Sequence, residues 1–224
     1  MSTAGEILPG TTLFTGLSVP ECEQVLQCLG SYQKKYAKNT FIYHAGDKTA
    51  QLGLVLAGSV QVLRDDYWGN ENIVTVLETG DTFAESYACV PRLELGVSVQ
   101  ARTPATILFL DLQRLLQPCG KACPFHQRLV QNLVGLVAAK NVFLQEKLSY
   151  LTQRTTRQKL LAYLSAVSLK QKSPQFTIPL NRQQLADFLS VDRSALSSEL
   201  SKLRREGVLE YTKNNFTFKQ PRQG

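Results

Sequence analysis

Histidine is scarce in this sequence, at two in 224 residues, so acid–base catalysis by imidazole has few candidates. There is no Ser-His-Asp order around a nucleophile elbow, no glycine-rich phosphate loop and no metalloprotease helix motif. No enzyme is therefore expected. Long apolar runs are also missing, none reaching the roughly 18 residues that a membrane helix needs. The opening stretch MSTAGEILPG has no basic segment ahead of an apolar one, so no secretory signal is expected and the expected location is the cytoplasm. Cysteines are few and odd in number, five in all. Without a signal they fit a reducing compartment, as free thiols or metal ligands rather than a disulfide framework.

Positive charge is absent as a surplus from most of the chain. Residues 1–153 hold 12 Lys and Arg against 13 Asp and Glu. Residues 154–224 hold 13 against 5. The net charge of +7 thus sits in the last third. A compact basic unit on a near-neutral body points to an anionic partner for that unit alone.

The texture changes three times along the chain. Residues 16–29 predict a short helix with Val25, Leu26 and Leu29 on one face. From about 31 to 111, short apolar or alternating runs recur between turns marked by Gly46, Gly58, Gly69 and Gly80, as expected for an all-β sandwich or barrel. Residues 125–154 hold no proline, and two rows of large apolar residues repeat every seven positions. One row is Leu129, Leu136, Phe143 and Tyr150; the other is Val130, Val137, Leu144 and Leu151. Leu133 and Leu148 lie between them. This broad stripe predicts a helix about 45 Å long. One edge is expected to pack on the β-domain and the other on a second copy, with Leu129, Leu133, Leu136, Phe143 and Leu144 as the dimer residues.

A further helix is predicted over 155–169, then a polar loop, then FTIPL, where Pro179 bars a central strand. Asn181 can cap a helix starting at Arg182, and Asp192 can cap the next. In that second helix Leu196, Leu200 and Leu203 repeat on one face. Arg193, Ser194, Ser197, Ser198 and Lys202 share the other. Gly207 ends it. VLEY and FTFK form a hairpin about Lys213-Asn214-Asn215, where Asn tolerates a positive φ. The pattern is a helix-turn-helix followed by a β-wing.

The order of these parts, with LAGSVQV, LETGDTFAE, NRQQLADFLSVDRSALSSELSKLRREGVLE and NNFTF as the strongest local matches, resembles the cAMP receptor protein/FNR (Crp/Fnr) family of bacterial transcription regulators over nearly the whole chain. The resemblance implies an α+β fold: a double-stranded β-roll of the cyclic-nucleotide-binding type, a dimerisation helix and a DNA-reading winged helix. The expected domains are a β-roll with its short N-terminal helix at 1–123, the dimerisation helix at 124–154 and the winged helix at 155–224. The expected partners are double-stranded DNA as an inverted repeat, a second copy of the chain, RNA polymerase and an unknown effector, with no membrane. Arg193 matches a guanine-contacting position, where its planar fork suits O6 and N7. Ser194 and Ser198 stand where the family often has Glu and Arg, so the usual family operator is not expected. Arg182 and Gln183 match phosphate contacts, to which Lys202, Lys213 and Lys219 are added.

For the effector, the resemblance places the pocket in GDTFAESYACVPRLELGVSVQA, with Phe83, Glu85, Cys89, Leu95, Gly96 and Ser98 as candidates. Glu85 matches a ribose-binding Glu and Ala84 replaces a Gly. Leu95-Gly96 stand where an Arg-Ser pair holds a cyclic phosphate, and Arg92 is out of register. The expected signal is a small molecule or a redox change other than cAMP. Cys22, Cys28, Cys119 and Cys123 could hold an iron–sulfur cluster or zinc. Alternatively Cys119 and Cys123 form a redox pair, or all are inert thiols. A cyclic-nucleotide adaptor that does not bind DNA is the reading of another class; the basic winged helix speaks against it.

Overall fold

The computed structural model describes residues 7–65, 71–117 and 124–219. The turn expected at Gly69 lies outside the described residues. The chain divides into two compact units, Met1–Ala139 and Lys140–Gly224.

In the first unit a 3-10 turn at Leu8–Gly10 precedes α1 (Val19–Leu29). The strands follow as β1 (Tyr32–Tyr36), β2 (Phe41–Tyr43), β3 (Gln51–Ala57), β4 (Val60–Asp65), β5 (Glu71–Leu77) and β6 (Thr82–Phe83). The short α2 (Glu85–Cys89) leads to β7 (Ser98–Ala101), β8 (Ala105–Asp111) and α3 (Leu112–Leu116). The strands form two four-stranded sheets, in the orders β1-β8-β3-β6 and β2-β7-β4-β5. Pairing is antiparallel throughout. The recurrent short runs predict a sandwich or barrel, and the two sheets form the double-stranded roll that the family resemblance implies.

β3 and β8 are buried along nearly their whole length because both of their faces are covered. Side chains alternate across a strand. Leu52, Leu54, Leu56, Leu108 and Leu110 therefore face one way, into a core shared with Val25, Leu29, Leu112 and Leu115. Val55, Ile107 and Phe109 face the other way, into the interior of the roll with Tyr36, Val60, Phe83 and Val99. Gly53 is required there, since a Cβ at this position would lie 2.1 Å from the Phe83 ring.

α4 (Pro124–Leu151) begins in the first unit and ends in the second. Its first half closes the outer core of the roll with Leu129, Leu133 and Leu136. Asn132 fastens it by donating from Nδ2 to the carbonyls of Leu13 and Thr15, both at 2.9 Å.

The second unit continues with α5 (Thr156–Gln171), β9 (Gln175–Thr177), α6 (Arg182–Phe188), α7 (Arg193–Arg205), β10 (Leu209–Thr212) and β11 (Asn215–Phe218). Thr155 caps α5 in a reciprocal pair with Gln158, each side chain accepting from the other's backbone N–H. Among the described residues β9 pairs only with β11, at the edge of the order β10-β11-β9, and Pro179 falls beyond its end. Leu160, Leu164, Phe176, Leu185, Leu200 and Phe216 fill the core. Among the described residues, no helix is long and apolar enough to cross a membrane.

Candidate nucleic-acid interface

α6 and α7 form a helix-turn-helix whose two starts are both built by side-chain caps. Asn181 Oδ1 accepts the Gln184 N–H at 2.9 Å, and Gln184 Oε1 accepts the Asn181 N–H at 2.8 Å. Asp192 Oδ1 accepts the N–H groups of Ser194 at 2.8 Å and Ala195 at 3.0 Å, and also the Ser194 hydroxyl. These bonds, led by the Ser194 hydroxyl, hold the Asp192 carboxyl below its ordinary pKa. Leu196, Leu200 and Leu203 are fully buried, each contributing roughly 1.5–3 kcal/mol. The helix therefore cannot rotate without exposing them, and its opposite face is fixed toward solvent. Gly207 follows with φ of 72°.

On that face Arg193, Ser194, Ser198 and Lys202 are exposed and Ser197 is half-buried. Arg193 forms no ion pair among the described residues. Lys202 is held 2.6 Å from Glu199. Arg182 is half-buried, its guanidinium 5.2 Å from the centre of the Tyr211 ring, and burial pulls its pKa below the ordinary value. Gln183 donates to Asp187 Oδ1 at 2.8 Å. Lys219 is exposed beyond β11. The wing turn is a two-residue loop, with Thr212 opposite Asn215. Here the expectation for Asn is corrected. The positive φ falls on Lys213, at 54°, because the register places that residue first in the loop.

A cleft of about 660 Å³ lies beside α7, lined by Arg154, Thr155, Arg157, Ser198 and Lys202 among others. Arg157 is bidentate to Glu206, its Nη1–Oε1 distance being 3.0 Å. The Thr155-x-x-Gln158 capping pattern was the available signal for a helix starting beside this cleft.

The dimer residues are redistributed. Leu129, Leu133 and Leu136 are 0, 2 and 7% exposed within the single chain, so the first unit already covers them. Assigning them to a seam with a second copy is therefore corrected. Phe143 is tilted against Phe188 at 6.3 Å between centroids and is still 52% exposed, so the single chain leaves it half uncovered. Of the five residues Phe143 and Leu144 stay exposed. Leu144 lies on a regular stripe at alternating four- and three-residue spacing: Val130, Val134, Val137, Asn141, Leu144, Leu148 and Leu151. Leu144 and Leu148 are 62 and 60% exposed. This is the a/d pattern of a two-stranded coiled coil, with Asn141 at an a position.

In the roll, the side chains of Phe83 and Leu95 are buried. Phe83 meets Tyr43 edge-on at 6.1 Å. The Leu95 N–H donates to the Asp47 carbonyl and its own carbonyl accepts from Gly46, both at 2.8 Å. Ser98 Oγ accepts the Ala45 N–H at 2.9 Å. The Gly96 N–H reaches the Tyr87 hydroxyl at 3.3 Å. Glu85 is buried at the start of α2, whose cap, Ala84, takes a left-handed φ of 61°. Arg92 is exposed in a left-handed turn.

Cys22 is buried in the outer core, and burial pushes its thiol up to about 11. That environment favours the neutral thiol, which is not the metal-binding form. Cys28 is exposed, and Cys89 is half-buried with its pKa also raised by burial. Cys119 and Cys123 lie outside the described residues. Among the described residues, no three His, Cys, Asp or Glu side chains gather as a metal site. His126 is buried, its Nε2 2.6 Å from the Leu115 carbonyl.

A roll of two antiparallel sheets, a long helix and a winged helix-turn-helix define a sensor-linked DNA-binding regulator. Comparison with known proteins agrees. Residues 33–121 match the cyclic nucleotide-binding domain family and residues 158–223 the Crp-like helix-turn-helix domain family. The chain is 31% identical over 83 residues to the cAMP-activated global transcriptional regulator CRP of Pasteurella multocida, a stretch that is 37% of this chain and 40% of that one. It is 22% identical over 190 residues, 80% of each chain, to the CRP-like protein Clp of Xanthomonas campestris pv. campestris. It shares its fold with CooA of Carboxydothermus hydrogenoformans, with a TM-score of 0.56 and 21% identity over 88% of this chain and 86% of that one. The protein belongs to the Crp/Fnr family, whose members are DNA-binding regulators and not enzymes.

Proposed function

We propose that the protein is a homodimer that binds an inverted-repeat operator through α7 and takes its signal in the roll from a ligand other than cAMP or cGMP. The observation that carries the DNA reading is Arg193, exposed and without an ion-pair partner among the described residues, at the start of a helix locked by three buried leucines. Its fork reads guanine in the major groove, with Ser194, Ser197 and Ser198 beside it. Lys213 and Lys219 on the wing meet phosphate; Lys202, Arg182 and Gln183 do so by exchanging their present partners. The seam through Val134, Asn141, Leu144 and Leu148 holds the two copies in parallel, and the polar Asn141 sets their register. Parallel copies related by a two-fold axis place their α7 helices about 34 Å apart along the duplex.

Against cAMP stands the chemistry of Leu95 and Gly96. A cyclic phosphate brought to this stretch loses its water and gains no guanidinium. The Pasteurella relative is described as cAMP-activated; this chain lacks the matched cation. Binding-site selection followed by calorimetry with cAMP and cGMP tests both parts. An inverted repeat with a guanine at the Arg193 position and no saturable heat are expected. Micromolar binding of either nucleotide refutes the effector part alone.

A further inference from the structure

A second cavity, remote in sequence from the roll, lies within the Lys140–Gly224 unit. It is a half-open pocket of about 700 Å³, within the usual size of small-molecule sites. Phe143 and Tyr150 from α4, Tyr163 and Ala166 from α5 and Phe188 from α6 form its apolar wall. Four of these are aromatic, and Phe188 lies 5.3 Å from Tyr163 and 6.4 Å from Tyr150 between ring centroids.

The polar groups at this wall have one sign left over. Glu146 and Lys170 neutralise one another at 3.0 Å. Lys147, 5.1 Å above the Phe188 ring, has no ion-pair partner among the described residues. Two of the aromatics carry phenols, and neither Tyr150 nor Tyr163 hydroxyl has a hydrogen-bond partner among the described residues. Both phenols are protonated donors at neutral pH, and burial raises their pKa further. Phe143, Lys147 and Tyr150 recur at four- and three-residue spacing on a different side of α4 from the Asn141, Leu144 and Leu148 stripe.

An apolar chamber with one uncompensated ammonium and two free phenol donors is complementary to an amphiphile carrying a single negative charge. The geometry points to a binding site for a small monocarboxylate with an apolar body, its carboxylate at Lys147 and its body among the four rings. This assignment does not depend on the DNA reading or on the effector of the roll.

The test is isothermal titration of the full-length protein with decanoate and with 4-phenylbutyrate, each against its uncharged alcohol. Saturable binding at one site per chain, with the acid favoured over the alcohol by about tenfold, is expected for at least one pair, and which pair responds tells an acyl from an aryl body. Lys147→Gln is expected to remove that preference while the alcohol binds as before. Ala166→Trp fills the chamber and is expected to abolish both. Retained near-ultraviolet circular dichroism checks that each variant is folded, and Lys147→Gln, being at the rim, tests the site even if Ala166→Trp does not fold. No saturable heat with either acid overturns the proposal. So does equal binding of acid and alcohol, or binding that Lys147→Gln leaves unchanged.

Discussion

Truncating Leu144 and Leu148 to alanine together is expected to dissolve the dimer without unfolding the chain. Full burial of a leucine side chain contributes about 1.5–3 kcal/mol. In the single chain these residues are 62 and 60% exposed, so covering the remainder at the seam contributes about 1–2 kcal/mol each. Two residues on two protomers give about 4–8 kcal/mol, of which the alanine methyls keep a part. The expected loss is about 3–6 kcal/mol, or roughly a hundred- to ten-thousandfold in the dimer Kd. Leu136→Ala is the comparison. That side chain is buried in the protomer's own core, so its loss is expected to cost about 2–5 kcal/mol of fold stability and to leave dimerisation intact wherever the chain remains folded. Sedimentation equilibrium gives the Kd, thermal melting gives the stability, and anisotropy with a selected operator gives the effect on DNA. A double variant as dimeric as wild type, beside a folded monomeric Leu136→Ala, would refute the division of the helix into these faces.

Arg193→Ala is expected to cost about 1–3 kcal/mol per half-site and to flatten preference at one base pair in a selection experiment; Lys213→Ala is expected to weaken all duplexes alike and to lower the salt slope by about one for each phosphate it no longer neutralises. Lys213 and Ala84 both hold positive φ, so Lys213→Gly and Ala84→Gly are each expected to raise the melting temperature by relieving about 1 kcal/mol of backbone strain. The folded-state pKa values of Asp192 and Glu206 are depressed, by the Ser194 and Arg157 bonds respectively. Their contribution is full above the ordinary carboxylate pKa and is lost as pH falls through the lower folded values. Asp192→Asn, which keeps a cap but not the charge, is expected to flatten the melting temperature below about pH 4 relative to wild type.

The winged helix was legible residue by residue because its signals are local. Asn181 and Asp192 cap the predicted helices, and the leucines at 196, 200 and 203 point inward, since capping and helical period act within a few positions. The two seven-residue rows of the long helix were equally visible, but a period reports that a face is covered, not by what. The period alone therefore assigns Leu129 and Leu136 to a partner, whereas the chain's own roll covers them. The pairing of β1 with β8 and of β2 with β7 joins residues far apart in sequence, as do the walls of the cavity from Phe143 to Phe188, and no local pattern encodes either.

The bond from the Ser194 hydroxyl to Asp192 has a consequence for the code that α7 can read. A hydroxyl has one proton, and this one is already given to the cap. What Ser194 presents outward is lone pairs alone. In the major groove such an oxygen meets only the amino groups of adenine N6 or cytosine N4; the O6 and N7 of guanine and the O4 of thymine repel it. The cap that starts the helix thereby turns an indifferent residue into a polarised one, and Asp192, which touches no base, is expected to exclude guanine and thymine at the position Ser194 faces.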